Sequence, residues 1–312
     1  MLHMRLNFLS RHSLKTRVTL STMAIVMAGL WSLYLFASHE LEKDMVSVAS
    51  AQQFSAVSLL GDQVNHELAD RLHRLELSAQ QISPELLSQP AAPQDQLNKR
   101  LLLRGQFNAG VLALDTVGVA LAELPAGQRA FSGGLMDLHS VNIALQQNRA
   151  NIGRAFVDTA RQTPMLGMSA PIRDAKGQVI GVLTGLTDLG QPDFLRAIRD
   201  HSYGKTGGYL LVDPQQRRII VATDKRRIME KLPPPGTIPA LDRFLAGYQG
   251  TQVFVNPLGE EILASDKPIP VNGWIISAVM PADEAFAPAR ITQQRVLYLT
   301  VVLTLLAGGL TW

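Results

Sequence analysis

The stretch MLGMSAPIRDAKGQVIGVLTGL, residues 165–186, decides the fold. Residues 165–172 and 179–186 are two apolar runs, each the length of a buried strand. Between them Arg173-Asp174-Ala175-Lys176-Gly177 supplies the Asp and Gly of a tight turn. The whole reads as a hairpin. A second hairpin follows, with strands at 208–212 and 218–223 and a turn opened by Asp213-Pro214. Toward the N-terminus, 111–114 and 119–124 flank the turn Asp115-Thr116-Val117-Gly118. Toward the C-terminus, 251–255 and 262–265 flank Pro257-Leu258-Gly259-Glu260, and 274–279 closes the series. Phe194, Leu195 and Ile198 predict a helix beginning near Pro192, and 241–245 predict a helical turn or two. The expectation is an α+β chain of two tandem units, each an antiparallel sheet with covering helices.

Before the first hairpin, residues 41–82 read as one long helix. Val57, Leu60, Val64, Leu68, Leu72, Leu75, Ala79 and Ile82 recur at three- and four-residue steps. Asp62, Glu67, Asp70, Arg71, Arg74 and Glu76 are expected on the solvated face. Prolines 84, 90 and 93 place a loop over 83–95, followed by a short helix through about Leu103.

The apolar excess collects at the two ends. Residues 18–37 form an uncharged run long enough, at about 30 Å of helix, to match the hydrocarbon core of a bilayer. Trp31, Tyr34 and Phe36 lie near its far end, where amphipathic rings favour the interface. Arg5, Arg11, Lys15 and Arg17 precede it without an acidic residue, which assigns 1–17 to the cytoplasm by the positive-inside rule. A cleaved signal peptide is the competing reading; the run exceeds a typical h-region and Leu35 occupies the −3 position where a small residue is wanted. Residues 296–312 are a second uncharged run, short for a span. The chain stops inside it with no basic residue after, which reads as a truncation before a cytoplasmic continuation. Two spans with the bulk of the chain between them outline a receptor in a bacterial inner membrane, with the body periplasmic.

Net charge is +3 and much of it lies in the first seventeen residues, so no nucleic-acid surface is expected. There is no cysteine, which excludes disulfides and thiolate sites. Gly204-Lys205-Thr206 invites a phosphate-loop reading, but Arg199 stands where the first Gly should and a strand follows. Gly167-Met168-Ser169 lacks the second Gly of a nucleophile elbow. His66 and His73 are seven residues apart, too far to share a metal on one helix; His139 and His201 stand alone. No catalytic set, metal or cofactor emerges, so this chain reads as not an enzyme.

Three stretches carry a family likeness. Tyr203-Gly204-Lys205-Thr206-Gly207-Gly208-Tyr209-Leu210-Leu211-Val212-Asp213 resembles the start of the membrane-proximal unit of the double Cache sensors. Gly177-Gln178-Val179-Ile180-Gly181-Val182-Leu183 with Asp188 resembles the last strands of the distal unit. Gly273-Trp274 leading to Met280-Pro281 resembles the strand before a second membrane helix. The resemblance implies two PAS-like units: a distal one over 105–200 and a proximal one over 201–290, on a signalling helix and connector over 38–104. It implies binding of a small polar ligand (an amino acid, amine or carboxylate) in the distal unit. A cytoplasmic output is implied too, cyclic-di-GMP turnover or a histidine kinase, and dimer formation, for which 41–82 offers a seam. In amino-acid-binding members an Arg and an aromatic grip the carboxylate and a later Asp holds the ammonium. Arg154, Phe156 and Asp188 fall at the matching positions, and their chemistry suits those roles. Phe156 stands where the family has Trp, and the paired Tyr positions find no match across 163–167. An extracytoplasmic protein-interaction module is the alternative to a small-molecule sensor; it predicts an apolar patch rather than a polar pocket.

Overall fold

One helix, α1 (Leu14–Gln80), runs for 67 residues and includes both the first apolar run and the expected long helix. The computed structural model describes residues 14–82, 105–124, 138–158 and 162–311. The loop and short helix expected between 83 and 103 lie outside the described residues.

Two five-stranded antiparallel sheets follow. The first contains β1 (Gly110–Leu114), β2 (Ala120–Leu124), β3 (Asn151–Asp158), β4 (Thr163–Arg173) and β5 (Val179–Asp188), in the order β2-β1-β5-β4-β3. The second contains β6 (Gly208–Asp213), β7 (Arg218–Ala222), β8 (Gly250–Val255), β9 (Glu261–Pro268) and β10 (Ile275–Pro281), in the order β7-β6-β10-β9-β8. The two orders are the same, so one PAS-like topology occurs twice. Helix α2 (Leu138–Gln147) belongs to the first sheet, α3 (Arg196–Arg199) lies between the sheets in sequence, and α4 (Pro239–Leu245) belongs to the second.

Turn chemistry explains the hairpins. Asp115 Oδ1 accepts from the backbone N–H groups of Val117 and Val119 at 2.9 and 2.8 Å. Asp174 does the same for Lys176 and Gln178, and Asn256 for Leu258 and Glu260. In each case a Gly three residues on takes a positive φ: 90° at Gly118, 80° at Gly177 and 82° at Gly259. The side-chain oxygen closes the turn and the glycine supplies the left-handed residue that follows it. Asp213 caps the fourth turn through Gln215 and Gln216. There Arg217 takes the left-handed φ of 47°, held by Asp242 at 2.8 Å and the Pro233 carbonyl at 2.7 Å.

The core is continuous along α1. Val57, Val64, Leu68, Leu75, Ala79 and Ile82 are buried against one face of both sheets. Gln53 donates to the Leu263 carbonyl at 3.2 Å and accepts from Ser265 at 2.9 Å; Lys267 reaches Asp62 at 2.7 Å. Arg71 corrects the sequence expectation. It is 9% exposed, not solvated, and donates to the Gln106 carbonyl at 2.5 Å and to Glu67 at 2.8 Å while its guanidinium lies 5.1 Å from the Phe194 ring centre. The 57–82 stripe is buried within the chain, while Val48, Leu59 and Leu77 stay exposed on other faces of α1.

Two elements were not legible. Strand β3 carries a register shift between Ile152 and Ala155 that breaks its alternation, and α2, ten residues long, is too short to stand out by periodicity. The helix expected from Pro192 shrinks to α3, since Leu195 takes a left-handed φ of 49°; Phe194, Leu195 and Ile198 are core residues rather than a helical stripe.

Residues 14–51 of α1 form a separate unit with helices α5 (Ala282–Ala285, from Asp283 on) and α6 (Ala287–Thr311). Within it Gln293 donates to the Ser38 carbonyl at 3.2 Å. Both α1 and α6 are long and apolar enough to cross a membrane.

Gly207, in the stretch before β6, is dictated by close approach. A Cβ there would press on the carbonyl oxygens of Tyr203 and Val279, the latter 2.5 Å away. Backbone cannot yield as a side-chain tip can, so Gly207→Ala costs about 1–3 kcal/mol. Chemical denaturation measures it; a change under about 0.5 kcal/mol contradicts the close approach.

Candidate functional site

Each sheet has a second face, turned away from α1. On the first sheet this face carries Leu112, Leu114, Val182, Leu186 and Met165, and α2 closes it with Val141 and Ala144. A buried polar chain seats the helix: Ser140 Oγ lies 2.9 Å from Ser169 Oγ, which lies 3.0 Å from Thr184 Oγ1. Asn151 donates to the Ser140 carbonyl at 2.9 Å. Ser169 is therefore a structural strand residue, as its failed elbow spacing implied.

Two of the three predicted site residues are brought onto this face by register. Phe156 pairs with Met165, and Met165 pairs with Asp188. Directly opposed residues of antiparallel strands point to the same side, so Phe156 and Asp188 flank Met165, roughly 10 Å apart by two strand spacings. Phe156 is half-buried and packs on the α2 cluster. Arg154 stands at the bulge of β3, exposed, two residues before Phe156.

Asp188 is half-buried at the end of β5. Its Oδ1 accepts from the Gly190 N–H at 2.7 Å. Asn108 clamps its backbone, accepting from the Asp188 N–H at 2.7 Å and donating to its carbonyl at 3.3 Å. Arg199 lies near it, 7% exposed, donating to the Gly190 carbonyl at 3.2 Å, with Nε and Nη2 buried without a hydrogen-bond partner among the described residues. Burial lowers the Arg199 pKa, and the charges of Asp188 and then Asp200 oppose that shift. Sequence reasoning missed Asn108 and Arg199, for which no local pattern gave a signal. Among the described residues, no three His, Asp or Glu side chains are grouped to hold a metal ion.

Comparison with known proteins agrees with this architecture. Residues 41–289 match the Cache domain family of the dCache_1 type. Among the curated proteins, none matches the sequence. The ligand-binding domain of the Pseudomonas aeruginosa PAO1 amino-acid chemoreceptor PctB, in complex with L-Arg, is similar at 21% identity and a TM-score of 0.57, covering 78% of this chain and 97% of its own. That of the Pseudomonas fluorescens chemoreceptor CtaA with L-isoleucine is 17% identical, with a TM-score of 0.57, covering 80% and 97%. The Mlp24 domain with asparagine is 16% identical, with a TM-score of 0.59, covering 80% and 99%. At these identities the likeness is one of fold.

Removing the Asp188 carboxylate uncaps Gly190 and leaves Arg199 with less opposing charge. Asp188→Ala is expected to cost about 1–2 kcal/mol, and Asp188→Asn, which keeps an acceptor for Gly190, less than that. Thermal unfolding reads this as a Tm fall of roughly 2–8 °C for the alanine variant; an unchanged Tm in both contradicts the structural role of the carboxylate.

Proposed function

This chain belongs to the Cache domain family, and we propose that it is the extracytoplasmic sensor of a receptor anchored in a bacterial inner membrane, binding a small polar molecule of the amino-acid kind. The proposed site is the α2 face of the first sheet, the membrane-distal unit over 105–200. Arg154 would grip a carboxylate, Asp188 an ammonium, and Phe156 would pack on the ligand body between them. The observation that carries this reading is the shared register of Phe156 and Asp188 about Met165, with Arg154 one bulge away. An α-amino acid presents opposite charges on adjacent atoms, and an Arg and an Asp meet both.

Anchoring rests on the two apolar helices and on the basic residues preceding the first, with spans at 18–37 and 296–312 and the second unit, over 201–290, proximal to the membrane. Downstream, the reading expects a homodimer and a cyclic-di-GMP or histidine-kinase output. A ligand shifts the balance of two states only if it binds them with different affinity. The contacts that would register such a shift tie α1 to the first sheet: Arg71 to the Gln106 carbonyl, and Glu76 to Arg173 at 3.7 Å.

The full chain in detergent, titrated with each of the twenty L-amino acids, tests the proposal. A cognate ligand at a hundred times its Kd stabilises by about 2.7 kcal/mol. Arg154→Ala and Asp188→Asn are each expected to weaken that response at least about ten-fold, the equivalent of 1.4 kcal/mol. Wild-type affinity in both variants, or no response to any amino acid, refutes it.

A further inference from the structure

The second sheet also turns one face away from α1, and that face is not filled. Between it and α4 lies a cavity of about 540 Å³, within the size range of small-molecule sites. Its depth is apolar, with Val212, Phe244, Phe254, Ile262 and Val279 among the lining residues. One ionisable side chain stands in this apolar interior. Asp266 on β9 is 3% exposed and lines the cavity. Register explains its position. Ile262, Ala264 and Asp266 alternate toward the cavity, while Leu263, Ser265 and Lys267 face α1. Asp266 is flanked by Ser277 of β10 on one side and by Gly250 of β8 on the other. Glycine leaves that flank without a side chain. Ser277 Oγ donates to Asp266 Oδ1 and is its one side-chain partner among the described residues.

The other charges around the cavity are at its exposed mouth and are already engaged. Asp224 pairs with Arg226 at 2.8 Å, Arg227 with Glu230 at 2.8 Å, and Glu260 accepts from Asn256 at 3.3 Å. On α4, Asp242 pairs with Arg217 and Arg243 lies over the Tyr248 ring at 4.7 Å; neither lines the cavity. Lys267 is turned to Asp62 on α1. No cation among these reaches Asp266. A buried carboxyl without a counter-charge is costly to ionise, and burial pushes Asp266 up to about 7, with the Ser277 hydrogen bond opposing the shift.

We propose that this cavity is a second ligand site, distinct from the α2 face of the first sheet, and that it takes a small organic ammonium with an apolar or aromatic body. The ammonium would be held by Asp266, and the body by the Phe244 and Phe254 rings. A positive charge beside Asp266 restores the ionised form, so binding and deprotonation are linked. Affinity therefore rises with pH through about 7, by about ten-fold from pH 6 to pH 8, as the carboxylate fraction rises.

The test uses the full chain in detergent, titrated with 2-phenylethylammonium to about 10 mM, with 2-phenylethanol and phenylacetate as neutral and anionic counterparts, a range that reaches weak millimolar binders. The ammonium is expected to raise Tm saturably, more at pH 8 than at pH 6, and its two counterparts are not. Asp266→Asn mimics the protonated carboxyl and so folds with an unchanged or higher Tm; it is expected to abolish the ammonium response and leave any amino-acid response intact. Ala264→Phe, which fills the cavity from the same strand, is expected to abolish it as well. Three results would each overturn the proposal: no saturable response to the ammonium, an equal response to 2-phenylethanol, or a response that survives in Asp266→Asn and is lost in Asp188→Asn.

Discussion

Neither sheet can cover its own inner face, and the apolar stripe of α1 from Val57 to Ala79, with Ile82 just beyond its end, covers both. Each fully buried aliphatic on that stripe is worth about 1.5–3 kcal/mol relative to exposure, and four of them, Val57, Val64, Leu68 and Leu75, have no exposed surface at all. Polar contacts then fix the register that packing alone leaves loose. Gln53 and Lys267 tie the helix to β9, Asn65 accepts from the Val271 N–H at 3.0 Å, and Arg71 reaches the backbone just before β1. At Gly61 the helix approaches so closely that a Cβ would sit 3.1 Å from Ile276. A protein interior is packed too densely to deform smoothly, so a change in either sheet has to be accommodated by the same helix. That shared spine is the physical basis for reading the molecule as a sensor.

The outer faces then divide the labour. The first is sealed by α2 and its Ser140–Ser169–Thr184 chain, and the ionisable residues Arg154 and Asp188 lie on strands at one end of it. The second is left hollow beneath α4, with a single buried carboxyl in its apolar interior. Two copies of one topology thus offer different chemistry, because the two sheets carry different residues at their outward positions.

That division also explains what could be read from the sequence. The inward positions repeat, so the eight apolar residues from Val57 to Ile82 and the hairpins around Asp115, Asp174, Asp213 and Asn256 stood out by periodicity and turn chemistry. Where a local rule is broken, legibility fails. β3 hides behind its bulge, α2 spans only ten residues, and Leu195 imitates a helical position while sitting in a left-handed conformation. Arg71 looked solvated because it is charged and sits beside Asp70, with Glu67 and Arg74 one turn away on either side; its burial depends on a carbonyl 35 residues away. Arg154, Phe156 and Asp188 were nominated from the family pattern, but the common face of Phe156 and Asp188 follows from strand register, which a sequence does not display. Asp266 gave no signal, since its meaning lies in the cavity it faces and the missing side chain at Gly250.

The coupling of a ligand on the first sheet to α1 is the central claim, and hydrogen exchange measures it most directly. The full chain in a bilayer disc is followed by mass spectrometry with and without a mixture of L-amino acids. The account predicts slowed exchange in β3 and at the end of β5, around residues 151–158 and 186–190, together with a changed rate along residues 57–80 of α1. Protection at the two strands with α1 unaltered would contradict it, as would exchange unchanged throughout.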